Sequence, residues 1–464
     1  MILTIYPSLY LKGNIQLPAS KSYSIRAALI AACGGHSQIT NFSDCDDALV
    51  SLRAAKALGA KVARVKKSVF HIAGAGPEAT IPSTLQPEGH GLQSVDEWPS
   101  GRISPHGRKI VGATGFSPWG STINVQESGT VLRFILPLLS LHGQKVTVKG
   151  EGTLIGRPNL FLTQTLRSMG VNIKGTGEKE SVPITIQGGN LRGGKISIRG
   201  DLSSQFISAL LIACPRLTEN TYLKLAGNRL VSSDYITMTL EVLKRSGIEV
   251  KQKSAREFFI KGNQKFRGLK NFIIPSDYGL AAFLMAASVL IPSQIVLKGN
   301  LRDDLLQADG EIFPFLKEMG ARFAKTKTAI KIKGPFFLKG GKFSLRNCPD
   351  LVPIMAVLAL FAKKPTRLYD IEHARAKESD RISDLRNELL KIGANIEERT
   401  GELMIYPQPR YKKNCLLDPH RDHRLAMAFC VLGLKVGVRV KDIECVSKSY
   451  PSFVRDFKML GVKA

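Results

Sequence analysis

The sequence predicts an α/β fold made of six copies of one unit, and two independent spacings predict it. The first is a series of glycines, each ending an apolar helix pattern and leading into a strand-like segment. They sit in Leu58-Gly59-Ala60, Met169-Gly170-Val171, Ser246-Gly247-Ile248, Met319-Gly320-Ala321, Ile392-Gly393-Ala394 and Leu460-Gly461-Val462, at intervals of 111, 77, 73, 73 and 68 residues. A helix commonly stops on a residue at positive φ, which glycine adopts without a Cβ clash. The second series consists of helix starts marked by small polar or acidic residues. Ser22, Thr130, Ser204, Asp277, Asp350 and Asp422 follow one another at 108, 74, 73, 73 and 72 residues. Such side chains cap the orphan N–H groups of a first helical turn. Two unrelated chemical signals that share one period indicate a repeat.

Taken in order, the chain opens with strand-like residues up to Pro18. The first cap, Ser20-Lys21-Ser22, precedes Ile25, Ala28, Leu29 and Ala32, an apolar stripe at one-face helical spacing. The long first interval then locates an insertion at about residues 76–120, rich in Gly, Pro, Ser and His (Gly76-Pro77, Gln86-Pro87-Glu88-Gly89, Ser104-Pro105-His106-Gly107). Such composition reads as a surface loop, and His90 and His106 within it are too sparse for a metal site. Every later unit reads as strand, helix, strand, helix and one or two further strands. With 464 residues and 44% apolar content, the six units divide into two domains of three. The expected domains are residues 19–275, carrying the insertion, and residues 276–464 joined by residues 1–18. Two chain crossings would then form a hinge.

Composition narrows the function classes. The formal charge of +28 comes from 66 basic against 38 acidic residues. The basic residues are spread along the chain, in pairs at most (Lys66-Lys67, Lys363-Lys364, Lys412-Lys413), unlike the stripe of a nucleic-acid binder. They read as a solvated surface that steers small anions inward. The apolar run from Leu280 to Ile291 is too short to span a bilayer, and Met1-Ile2-Leu3-Thr4 lacks the n- and h-regions of a signal peptide. Seven cysteines, none in a C-x-x-C, read as reduced thiols. The expectation is a cytoplasmic monomer acting on small molecules, with no metal, no cofactor, no nucleic acid and no membrane.

Basic residues stand beside the helix starts: Lys21 and Arg26, Arg133, Arg157-Pro158, Lys377-Glu378-Ser379-Asp380-Arg381, Asp422-His423-Arg424 and Lys448. A cation at a helix N-terminus opposes the macrodipole, costing some tenths of a kcal/mol each. Its repetition suits a fold that gathers helix N-termini and cations around anions.

These motifs, with Ser128-Gly129-Thr130, Ser203-Ser204-Gln205-Phe206, Leu230-Val231-Ser232, Tyr235, Pro349-Asp350 and Cys445, resemble the 5-enolpyruvylshikimate-3-phosphate synthase family. They occur in family order over the whole chain apart from the insertion. The resemblance implies a two-domain inside-out α/β barrel, each domain holding three βαβαββ units about a pseudo-threefold axis. It implies transfer of the enolpyruvyl group of phosphoenolpyruvate to a ring hydroxyl of shikimate 3-phosphate, releasing phosphate, on the route to chorismate and aromatic amino acids. The chemistry needs a base for the hydroxyl, an acid and base at C3 of phosphoenolpyruvate, and cations for two phosphates and a carboxylate. By resemblance, Asp350 is the base, and Glu378 and Lys21 handle protons at C3; a plain helix cap is the other reading of Asp350. Shikimate 3-phosphate would be held by Lys21, Ser22, Arg26, Ser203, Ser204, Ser232, Tyr235, Asp350, His373 and Lys377. Phosphoenolpyruvate would contact Lys21, Gly129, Arg157, Gln205, Arg381, Arg424 and Lys448.

Two positions depart from the family pattern. Glu127 replaces the usual Asn before the Ser-Gly-Thr sequence, and an acid there repels phosphoenolpyruvate unless it is turned away or paired. His373 replaces an Asn, which introduces an expected pH dependence near neutrality. Gly129 leaves room for glyphosate by the family's pattern. One alternative is the sister enzyme, UDP-N-acetylglucosamine enolpyruvyl transferase, which has Lys-Asn in place of Lys21-Ser22 and a Cys where this chain has Gly152. A non-catalytic basic binding protein on the same fold is the other.

Overall fold

In the computed structural model, residues 1–75 and 122–464 are described; the expected insertion at 76–120 lies outside them. Among the described residues the strands form six sheets with one recurring order. In the simplest case, Thr122–Asn124 pairs parallel with Lys145–Lys149, which pairs antiparallel with Ser181–Gln187, whose far side holds Asn172–Thr176. The same order recurs in Gly194–Arg199, Thr221–Ala226, Glu257–Ile260 and Val250–Ser254. It recurs again in Lys342–Ser344, Thr366–Tyr369, Glu402–Tyr406 and Asn395–Arg399.

The other three sheets borrow strands, and the borrowing ties the chain together. Phe272–Ile273 pairs parallel with His36–Thr40 and so closes the first unit's sheet, which continues through Val69–Ala73 to Lys61–Lys66. Leu11–Gln16 pairs parallel with Ser293–Lys298, beside Ala329–Ile332 and Phe323–Lys325. Leu3–Ile5 pairs antiparallel with Val438–Val440, which lies parallel to Cys415–Leu417. Among the described residues this last sheet has three strands.

All six unit-closing glycines have positive φ: 91° at Gly59, 95° at Gly170, 86° at Gly247, 97° at Gly320, 81° at Gly393 and 94° at Gly461. They follow the helices Asp46–Ala57, Leu160–Ser168, Ser233–Arg245, Ile312–Glu318, Ser383–Lys391 and Phe453–Met459. The other helix series is Lys21–Ala32, Gly129–Leu139, Ser204–Ala213, Tyr278–Leu290, Val352–Leu360 and His423–Val436. Five of the six are capped by a side-chain oxygen: Ser20, Ser128, Ser203, Asp277 and Asp422 accept from backbone N–H groups of the first turn. Three of these caps precede the positions counted in the sequence. The sixth differs in kind. Asp350 lies in a short 3₁₀ turn, Pro349–Leu351, and caps nothing, so its carboxylate is free for other partners.

These inner helices are buried almost all round; every residue of Tyr278–Leu290 and of Val352–Leu360 is buried. A helix without a polar face belongs at the centre of a packed body. The buried apolar residues fall into two clusters. One runs from Ala19 to Ile274 and takes in Leu305; the other joins Ile5–Leu17 to Tyr278–Val462. The chain passes between them twice, side by side: Ser20 donates to the Pro275 carbonyl and Asp277 to the Pro18 carbonyl, 2.8 and 2.9 Å. The seven cysteines are free, five of them buried. No helix among the described residues is long and apolar enough to cross a membrane.

Candidate active site

N-termini of inner helices from both halves point into one cavity of about 110 Å³. Among the described residues its walls carry Lys21, Arg26, Arg133, Arg157, Lys377 and Arg381, against two carboxylates, Asp350 and Glu378. The halves meet around it: Arg157 Nη1 reaches Glu378 Oε1 at 3.4 Å, the Ser232 amide donates to the Arg346 carbonyl at 3.0 Å, and Tyr23 Oη donates to the Leu306 carbonyl at 2.6 Å.

On the first-half wall, the buried Arg26 and Arg133 have no counter-ion among the described residues. Arg26, 1% exposed, donates to Thr239 Oγ1 (2.9 Å) and to the carbonyls of Ser22 (2.9 Å) and Tyr235 (3.0 Å). Arg133 donates to Gln205 Oε1 (2.6 Å), Asn159 Oδ1 (3.3 Å) and the Pro158 carbonyl (3.1 Å). Neutral acceptors hold these forks in position but do not offset their charge, so burial lowers Arg26 to about 10 and, with the nearby Arg157, Arg133 to about 9. An incoming anion would relieve that cost.

On the second-half wall the charges are paired. Arg381, 1% exposed, donates through Nε to Asp422 (2.7 Å), through Nη1 to Asp350 (2.6 Å) and through Nη2 to Glu378 (2.8 Å). Arg424 binds Asp350 at 2.9 Å and Asp309 at 3.5 Å. Burial would raise Asp350, but Arg424, Lys377 and Arg381 outweigh it and hold the carboxyl well below the usual range. Glu378 is held down likewise, against burial, by Arg157, Arg381 and Lys21. Lys21 is the converse: burial would lower it, but Asp47, 3.0 Å away, and Glu378 keep it protonated. The site therefore presents two ionised carboxylates, Asp350 and Glu378, beside a protonated Lys21.

The profile of the family described as EPSP synthase (3-phosphoshikimate 1-carboxyvinyltransferase) matches residues 5–87 and 109–457. The chain belongs to this family. It is similar to the 3-phosphoshikimate 1-carboxyvinyltransferases of Nitrosopumilus maritimus, at 31% identity over 98% of this chain and 97% of the relative, and of Methanocaldococcus jannaschii, at 33% over 97% and 96%. Among solved structures it is similar to EPSP synthase from Acinetobacter baumannii, with TM-score 0.73, 24% identity and full coverage of both chains. It also shares its fold with the enolpyruvyl transferase NikO from Streptomyces tendae, with TM-score 0.71, 18% identity and coverage of 100% and 98%.

In this EPSP synthase family member, fourteen residues named from the sequence line the cavity: Lys21, Ser22, Arg26, Arg157, Ser203, Ser204, Gln205, Ser232, Tyr235, Asp350, His373, Lys377, Glu378 and Arg381. Three do not. Gly129 backs onto Arg157, so close that a Cβ would lie 2.8 Å from Nη1. Arg424 lines a smaller adjoining cavity. Lys448 is drawn to Glu127, 2.7 Å away. The pH dependence expected at His373 is corrected: burial, then Lys377, pushes the ring down to about 3, so it stays neutral through the physiological range. Its Nε2 has no hydrogen-bond partner among the described residues. His423 also lines the cavity, with both ring nitrogens buried and unpartnered among the described residues. In the sequence His423 belongs to a motif but not to the expected site, because a lone His beside a cap carries no signal of where it points. Asp309 sits in no motif, and only the fold brings it to Arg424.

Proposed function

We propose that the chain transfers the enolpyruvyl group of phosphoenolpyruvate to a ring hydroxyl of shikimate 3-phosphate, giving 5-enolpyruvylshikimate 3-phosphate and phosphate. The observation that carries this reading is a cavity where buried arginines without counter-ions face an ionised Asp350 and Glu378. Arg26 with Ser22, Ser203, Ser204 and Ser232 holds the shikimate phosphate, and Tyr235, Asp350, His373 and Lys377 face its ring. Arg157, Gln205, Arg381, Arg424, Lys21 and Lys448 hold phosphoenolpyruvate, with Gly129 allowing close backbone approach. Asp350 takes the hydroxyl proton as the oxygen adds to C2, while the Lys21 ammonium protonates C3 to a methyl. Glu378 then removes a proton from that methyl as the C–O bond to phosphate breaks. Glu378 passes that proton back to Lys21, and Asp350 gives up the hydroxyl proton with the departing phosphate, so all three groups are restored and the one hydrogen lost from the substrates leaves with phosphate.

The architecture serves this chemistry as two lobes, residues 19–275 and residues 1–18 with 276–464, each an inside-out α/β barrel of three units about a pseudo-threefold axis. The lobes close over the substrates about the paired crossings, as a monomer in the cytoplasm. Two observations support the division into these two lobes: the two apolar clusters and the strand exchange that puts Leu3–Ile5 and Leu11–Gln16 into sheets of the second half. Phosphate release with purified phosphoenolpyruvate tests the reading. Shikimate 3-phosphate supports turnover and UDP-N-acetylglucosamine does not; the reverse result, or no release with either, overturns it.

A further inference from the structure

Glu127 lies one residue before the Ser128 cap, outside the cavity wall, and both its oxygens are engaged. Oε2 accepts from the Thr153 amide and Oγ1, each at 2.9 Å, and from Lys448 Nζ at 2.7 Å. Oε1 accepts from Arg421 Nη2 at 3.0 Å. Gly152 makes the room: with φ at 51°, a Cβ there would sit 2.3 Å from the Glu127 carboxyl carbon. Two cations from the second half thus converge on one carboxylate of the first.

The consequence lies at Lys448. Besides Glu127, its Nζ donates to the Arg421 carbonyl at 3.0 Å and to Thr153 Oγ1 at 3.2 Å. An ammonium has three N–H bonds, and all three are committed to protein acceptors. An anionic ligand can gain Lys448 only by displacing one of them. Of the three acceptors Glu127 alone is charged, and it is the chemical equivalent of a ligand carboxylate or phosphate.

The geometry points to Glu127 as a specificity-determining internal anion, which occupies Lys448 and Arg421 and competes with phosphoenolpyruvate for Lys448. This rests on the proposed function, which assigns Lys448 to that substrate. The pairing answers the repulsion expected of an acid beside the phosphate: the acid is neutralised, but at the expense of a substrate cation.

Glu127→Gln keeps the shape and removes the charge, and steady-state kinetics with both substrates reads the result. The KM for phosphoenolpyruvate falls roughly threefold to tenfold, as one charge-assisted bond ceases to compete, while kcat and the KM for shikimate 3-phosphate stay within about twofold. Glu127→Asp, which retains the charge, stays closer to wild type than Glu127→Gln. An unchanged or raised KM for phosphoenolpyruvate in a Glu127→Gln protein that melts like wild type overturns the inference. Should that variant fail to fold, Arg421→Ala carries the test with opposite sign: Glu127 then pairs with Lys448 alone and the KM rises, whereas no change or a fall overturns it. A wild type that releases no phosphate defeats the proposed function instead, so the two failures are distinct.

Discussion

Replacing Arg381 by Met tests whether this buried guanidinium holds the second-half wall together. The side chain is 1% exposed and makes four contacts: Asp422 at 2.7 and 3.3 Å, Asp350 at 2.6 Å and Glu378 at 2.8 Å. Met fills similar volume but leaves three carboxylates without the cation. Asp422 suffers most, being fully buried, although Ser379 Oγ (3.2 Å) and the Arg424 amide (2.8 Å) still donate to it. Breaking a buried pair by removing one partner costs about 3–5 kcal/mol. At about 2–4 °C per kcal/mol for bodies of some 200 residues, Tm falls by about 6–20 °C. Arg381→Lys keeps the charge but not the planar fork and loses an intermediate amount. The gap depends on pH. Asp350 and Glu378 have depressed folded pKa values, so their stabilisation is present above the unfolded pKa and is lost as pH falls through the folded one. Wild type and Arg381→Met therefore converge in acid. The assay is calorimetry without substrates, over a pH series. A Met variant melting within about 2 °C of wild type at neutral pH would refute the reasoning.

Gly129→Ala places a Cβ 2.8 Å from Arg157 Nη1 and 3.0 Å from its Cζ, so the guanidinium must shift. Its KM for phosphoenolpyruvate rises; a wild-type value would mean that Arg157 moves freely. In the unmodified protein glyphosate inhibits competitively with phosphoenolpyruvate, and full activity at saturating inhibitor sinks that expectation. Asp309 is raised by burial from its ordinary 3.8 to about 7, with Asp350 and Asp277 adding to the rise and Arg424 and Lys377 opposing it. A raised carboxyl contributes stability below its unfolded pKa and loses it as pH climbs through the folded value. Asp309→Asn therefore gains Tm relative to wild type as pH is raised from roughly 4 to above 7, and a difference independent of pH is the contrary result.

Local chemistry made much of this protein readable without coordinates. The glycines at 59, 170, 247, 320, 393 and 461 each mark a left-handed helix end, and the Ser and Asp caps mark where helices point, because both signals arise within one helical turn. Asp350 shows where that reasoning stops. Its position in the repeat matches the other caps, yet Pro349 precedes it in a 3₁₀ turn and its carboxylate goes to Arg381 and Arg424 instead. His373 is a second case: an exposed imidazole titrates near neutrality, but enclosure beside Lys377 removes that behaviour.

The sequence by itself determined the sixfold period, the helix ends and most of the residues on the cavity wall. Only the tertiary structure decided that Lys448 spends its three N–H bonds on Glu127, Thr153 and Arg421, that Asp309 meets Arg424, and that Arg26 and Arg133 have no counter-ion among the described residues. Periods and caps depend on neighbours a few residues apart. Charge pairing and pKa depend on burial and on partners hundreds of residues away, as in Arg421 with Glu127 at a separation of 294, and no local pattern encodes those.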